Sequence, residues 1–172
     1  MDTPLKIYLQ DSAFAHCIFS NNPLPPKQFT DKVEWVRDDS FTDQDIVVWT
    51  DIDIPNALYR PGKNIAWLIE AYDHIPHLYE FVIKNADKFE AIWTHDKELQ
   101  EKVPNGIILP YGGCWIDDFD WNIYPKSKDF SIIASAKQQH PGHRMRHQII
   151  SGSQGRVDVF GGGYNPLDNK ID

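Results

Sequence analysis

The feature that most constrains this chain is a succession of short, unbroken apolar runs, each ending in a polar or turn residue. They are Leu5–Leu9, Asp45–Trp49, Ile65–Ile69, Phe89–Trp93 and Ile107–Leu109, with a weaker one at Val33–Val36. Each is too short for a helix and rich in Ile, Val or aromatic side chains, so each reads as a strand. The runs are continuous rather than alternating, which fits strands covered on both faces of a parallel sheet. Helical patterns fall between some of them. In HLYEFVIKNADK, residues Leu78, Phe81, Val82 and Asn85 share one helical face. HDKELQEKV follows the Phe89 run, and Thr94 before it is the expected N-cap. Strand alternating with helix predicts an α/β fold with right-handed crossovers and ligands beyond the carboxyl ends of the strands.

The pattern changes towards the C-terminus. Asn21–Lys27 is a Pro-rich loop, and Asp117–Lys128 has no periodicity and reads as a linker. A domain boundary is expected there, with one α/β domain over residues 1–126. Residues 127–172 then form a single strand–helix–strand unit: DFSIIAS, PGHRMRHQIISGS and RVDVF, closed by GGGYNPLDNKID. The helix opens at Pro141 and closes near Gly152. A unit of that length is too small to bury a core alone and reads as an incomplete second α/β domain.

Charge and cysteine usage narrow the function classes. The net charge of -8 repels phosphate backbones, so no nucleic-acid partner is expected. Two cysteines, Cys17 and Cys114, match no metal spacing and no disulfide framework, which points to a reducing compartment. MDTPLKIYLQDS is not a signal peptide, and no apolar run approaches membrane-spanning length. The expectation is a soluble, cytoplasmic protein with no membrane partner.

Five groups of residues invite a chemical reading. Glu70 closes the apolar run of NIAWLIEAYDHIP, at the carboxyl end of an expected central strand. It can cap a helix or pair with a surface base. It can also be a general base, if Trp67 and Leu68 dry its surroundings and burial lifts its pKa. His143 and His147, four apart near His140, share a helix face as two zinc ligands can. No HExxH glutamate or third ligand accompanies them, so no metal is expected. Arg144 and Arg146 near a helix start, with Lys137 in the preceding loop, suit either solvent or a phosphate. HPGHR is neither a GxGxxG nor a P-loop. Gly161, Gly162 and Gly163 after RVDVF, like Gly112 and Gly113, suit a turn or close approach to a ligand. No GxSxG elbow is present, and Cys17 beside His16 reads as structural.

The order of KNIAWLIEAYD, a helix, FEAIWTHDKEL and GIILPYGGCW resembles the N-terminal half of the α1,3-fucosyltransferases, glycosyltransferase family 10. SIIASAKQQHPGHRMRHQIISGSQGRVDVFGGG resembles the start of that family's donor-binding half, and is the more specific of the two stretches. The likeness runs from Ile7 to Asn169 and is looser before Ile46. It implies a GT-B architecture, with a Rossmann-like acceptor-side lobe over 1–126 and the start of the nucleotide-sugar-binding lobe over 127–172. It implies transfer of fucose from GDP-fucose to an acceptor-sugar hydroxyl, with inversion and without a metal or other cofactor. The family's general base maps onto Glu70. Its diphosphate-binding arginine maps onto Arg146 better than Arg144, with Lys137, Gly161 and Gly162 nearby.

The family's F-x-E-N-S and T-E-K donor segments do not occur before Asp172. The expectation is therefore a fragment of the enzyme, inactive or nearly so alone. Residues 128–172 are expected to pack on the first lobe, form a homodimer by swapping, or be poorly ordered. Two alternatives stand beside this reading. One is a GT-B transferase using another nucleotide sugar. The other is a non-catalytic carbohydrate-binding or interaction module using Trp67, Tyr72, Trp93, Tyr111 and Trp115 as platforms.

Overall fold

The computed structural model describes residues 3–12, 31–110 and 122–164. His16, Cys17, Asn21–Lys27, Tyr111, Gly112, Gly113, Cys114, Trp115 and the first part of Asp117–Lys128 lie outside them. By its contacts the chain divides into two compact units, Met1–Gly112 and Gly113–Asp172.

The first unit is α/β with a parallel six-stranded sheet, of the Rossmann-like kind. Its strands are β1 (Leu5–Gln10), β2 (Val33–Val36), β3 (Ile46–Thr50), β4 (Lys63–Leu68), β5 (Ala91–Thr94) and β6 (Gly106–Ile108). They lie in the order β2-β1-β3-β4-β5-β6, all parallel. The order reverses once, between β1 and β3, so that pair is the switch point where open α/β sheets leave a crevice.

The two faces of this sheet are buried unequally, one under the described helices and the other chiefly at β1 and β3. On one face Tyr8, Val47, Trp49, Ala66, Leu68 and Ile92 form the main core. Against them pack Ile54 and Ala57 of the 3-10 helix Asp51–Tyr59, Leu78, Tyr79 and Val82 of α1 (Pro76–Lys84), and Leu99 of α2 (Lys97–Lys102). The residues between point to the other face, where Ile7, Leu9 and Val48 gather with Ile65, Trp67 and Trp93 around them.

Two local expectations are corrected, and one crossover is new. The helix α1 buries Tyr79 beside Leu78 and Val82, whereas Asn85 is its C-cap and donates its side chain to Phe81 O. Thr94 does not cap α2. It is fully buried as the last residue of β5, and Asp96 is the N-cap, accepting from Leu99 N at 3.0 Å. The crossover from β3 to β4 is the 3-10 helix Asp51–Tyr59, interrupted by Pro55.

The second unit holds β7 (Ser131–Ile133), α3 (Pro141–Gly152) and β8 (Asp158–Phe160), with the two strands parallel. Among its described residues only Ala134 and Gly161 are buried, and α3 buries none. No helix among the described residues is long and apolar enough to cross a membrane.

Candidate active site at the carboxyl edge of the sheet

Glu70 stands two residues beyond β4, the fourth of six strands, at the carboxyl edge of the sheet. Its backbone is held from both sides. Its N–H donates to Asp51 Oδ1 at 3.3 Å, beside the Ile69 N–H at 2.9 Å on the same oxygen. Its carbonyl accepts from Tyr79 Oη at 3.0 Å. Its carboxylate meets His74 Nδ1 at 3.0 Å, one helical turn on. The dry surroundings expected from Trp67 and Leu68 do not extend to this carboxylate, which is 45% exposed. Leu68 points into the core, and the chain turns outward after Ile69, so the burial falls on the groups beneath Glu70 instead.

Those groups are Asp51 and Tyr79, neither of which was singled out in the sequence. Asp51 follows β3 with φ 38°, a left-handed turn that a short polar side chain tolerates. It is 1% exposed, and its Oδ2 is buried with no hydrogen-bond partner among the described residues. Burial pushes its carboxyl above the usual carboxylate range, against the pull of the two N–H bonds. The charge of Glu70 adds to the rise and that of His95, at the end of β5, offsets it. Burial likewise pushes the Tyr79 phenol up to about 12, so Tyr79 stays a hydroxyl donor across the physiological range.

A second buried carboxylate marks the switch point. Asp11, just past β1, takes a bidentate ion pair from Arg37, with Nε–Oδ1 and Nη2–Oδ2 both 2.7 Å. Both side chains are over nine-tenths buried. Burial is the largest influence on the Asp11 carboxyl, which is raised despite the pull of Arg37 and with the help of Asp53. Ser12 donates through both N–H and Oγ to Asp53. The one signal in the sequence for this edge is that DID at Asp51–Asp53 and DS at Asp11–Ser12 both follow an apolar run.

In the second unit the other candidates separate. Arg144 Nη1 donates to Gln138 O and Gln139 O at 3.2 and 2.9 Å, so its guanidinium staples the loop before α3. Arg146 is exposed and has no hydrogen bond or ion pair among the described residues. Lys137 is exposed, and its carbonyl accepts from His147 Nε2 at 3.1 Å. His147 Nδ1 then accepts from Tyr164 Oη at 2.6 Å, so both ring nitrogens are engaged. Gly161 has φ 114°, and a Cβ there would overlap Ala134 O, because Phe160–Gly162 runs beside Ala134–Ala136. The close approach at Gly161 is thus to the chain itself. A Cβ on Gly162 would meet nothing within 4 Å.

The aromatic platforms also sort out. Trp67 and Trp93 pack edge-to-face at 5.8 Å on adjacent strands and are half-buried. Tyr72 is 49% exposed, with its ring edge-to-face on Tyr79. No three His, Cys, Asp or Glu side chains converge as metal ligands among the described residues.

No protein-family model matches the chain, and neither a curated protein nor a solved structure does.

Proposed function

We propose that the chain belongs to an inverting glycosyltransferase of the α1,3-fucosyltransferase type, moving fucose from GDP-fucose to a hydroxyl of an acceptor sugar. The observation that carries this is Glu70: a half-exposed carboxylate on a doubly pinned backbone, at the carboxyl edge of a parallel sheet. Glu70 takes the proton from the acceptor hydroxyl as that oxygen forms its bond to the sugar's anomeric carbon. The bond from that carbon to the diphosphate breaks, and its electron pair leaves with GDP. One displacement inverts the centre, so one base suffices. His74, in contact with Oε2, holds the carboxylate in one orientation.

Negative charge grows on the leaving diphosphate. Taken by itself, the second unit offers a cation suited to a diphosphate in Arg146, exposed at the first turns of α3 and without a hydrogen bond or ion pair among the described residues. Arg144 and Lys137 play a lesser part, since the first is tied to loop carbonyls. Gly162, open on its Cβ side, leaves room for a ligand where Gly161 does not.

A binding-module reading rests on Tyr72, an exposed ring two residues from Glu70. The test is to incubate the protein encoded by the complete open reading frame with labelled nucleotide sugars on a glycan array. Label transferred from GDP-fucose, with the anomeric centre inverted by NMR, is the expected result. Glycan retention without transfer from any nucleotide sugar favours the module. Transfer from another nucleotide sugar keeps the mechanism and changes the donor.

A further inference from the structure

We propose that Asp51 is the positioning residue for Glu70: its Oδ1 holds the Ile69–Glu70 peptide at the sheet edge and so sets where the Glu70 carboxylate points. The function attached to this rests on the transferase reading, whereas the geometry does not.

The geometry is unusual for an aspartate. β3 pairs with β4 as far as Thr50 beside Trp67, and there β3 ends. The β4 chain leaves the ladder after Leu68, and the N–H groups of Ile69 and Glu70 then lack a β3 carbonyl partner. The Asp51 carboxylate takes that place, accepting from both. A side chain thereby extends the ladder beyond the backbone that made it. To do so Asp51 takes a positive φ and buries Oδ2 without a partner among the described residues. Both features cost free energy, and a carboxylate that served only the turn would face water. The Tyr79 hydroxyl holds the next peptide unit, Glu70–Ala71, through the Glu70 carbonyl. With N–H and C=O both held, the freedom left to Glu70 is its side-chain torsions, and His74 restrains those.

Two substitutions separate positioning from folding. Asp51→Gly keeps the positive-φ turn and removes the acceptor. Asp51→Asn keeps both the turn and an Oδ1 acceptor. In Asp51→Gly, amide hydrogen exchange at Ile69 and Glu70 is expected to quicken by roughly tenfold or more, while Val48 and Ile92 keep their protection. With GDP-fucose, kcat is expected to fall roughly a hundredfold with little change in KM, the signature of a displaced group rather than lost binding. Asp51→Asn is expected to restore both readouts to near wild type.

Unchanged exchange at Glu70 in Asp51→Gly overturns the proposal. So does quickened exchange with undiminished kcat in an enzyme that Glu70→Gln inactivates. If Asp51→Gly does not fold, Asp51→Asn decides alone: preserved exchange with a kcat loss as large as that of Glu70→Gln makes the charge, not the positioning, the point. Quickened exchange in a protein that transfers no sugar supports the positioning and removes the transferase reading.

Discussion

The two units use the same local pattern, strand–helix–strand with parallel pairing, and reach opposite outcomes. The first places Val47, Val48, Leu68, Val82 and Ile92 at 0% exposure. The second leaves Ile133 69%, Met145 58% and Ile149 50% exposed. The difference is not composition alone, since Ile132 and Ile133 are as apolar as Val47 and Val48. It is also the number of neighbours. A strand at an inner position of six has both edges paired and at least one face under a core, whereas both strands of a pair are edges. A site needs a framework that holds its groups within fractions of an ångström, and the first unit provides it at Asp11, Asp51 and Glu70.

The comparison breaks most easily at its buried charges. Arg37→Met strips the partner from a buried carboxylate, so it is expected to destabilise the first unit by about 3–5 kcal/mol in chemical denaturation. Adding Asp11→Leu should recover most of that loss. In the apolar core, Leu68→Ala is expected to cost about 2–5 kcal/mol, against less than about 0.5 kcal/mol for Ile149→Ala. Equal costs would dissolve the contrast between the units. Within the second unit, Gly161→Ala forces a Cβ onto Ala134 O at a positive φ and should cost about 1 kcal/mol or more, whereas Gly162→Ala should be neutral by the same thermal melt.

The smallest effect is one of pH. The folded carboxyl of Asp51 is raised above the ordinary aspartate range by burial. Its folded state therefore holds a proton longer than its unfolded state. The stability this supplies is complete below the unfolded pKa and is lost as pH rises through the folded one. Asp51→Asn lacks that loss. Its stability relative to wild type is therefore expected to climb as pH rises from strongly acid to neutral, measured by paired melts. A flat difference would mean that Asp51 is not desolvated.

The sheet was legible because β1 and β3 are buried on consecutive residues, while β4 and β5 bury one face and half-bury the other. Each apolar run from Leu5 to Leu109 became a strand, shifted by a residue or two at its ends. The site was half legible. Glu70 stood out because a charge after Trp67, Leu68 and Ile69 breaks a run. Asp51 did not, since DIDIPNALY looks like any polar turn. Its burial comes from β4 and α1, which lie next to it in space and well beyond it in sequence. Thr94 was misread as a cap for the same reason: the strand ran on to bury it. The face of α1 was misphased because Tyr79 looks amphipathic in sequence, while its hydroxyl has a buried errand at the Glu70 carbonyl.

The most direct measurement is the fucosyl-transfer rate of Glu70→Gln beside wild type, both as the protein encoded by the complete open reading frame, with folding checked by melting temperature and acceptor binding by titration. If Glu70 is the base, turnover drops by roughly two to four orders of magnitude while acceptor affinity and stability hold. Turnover within a factor of about three, with the protein equally folded, would contradict the account and return Glu70 to a surface partner of His74.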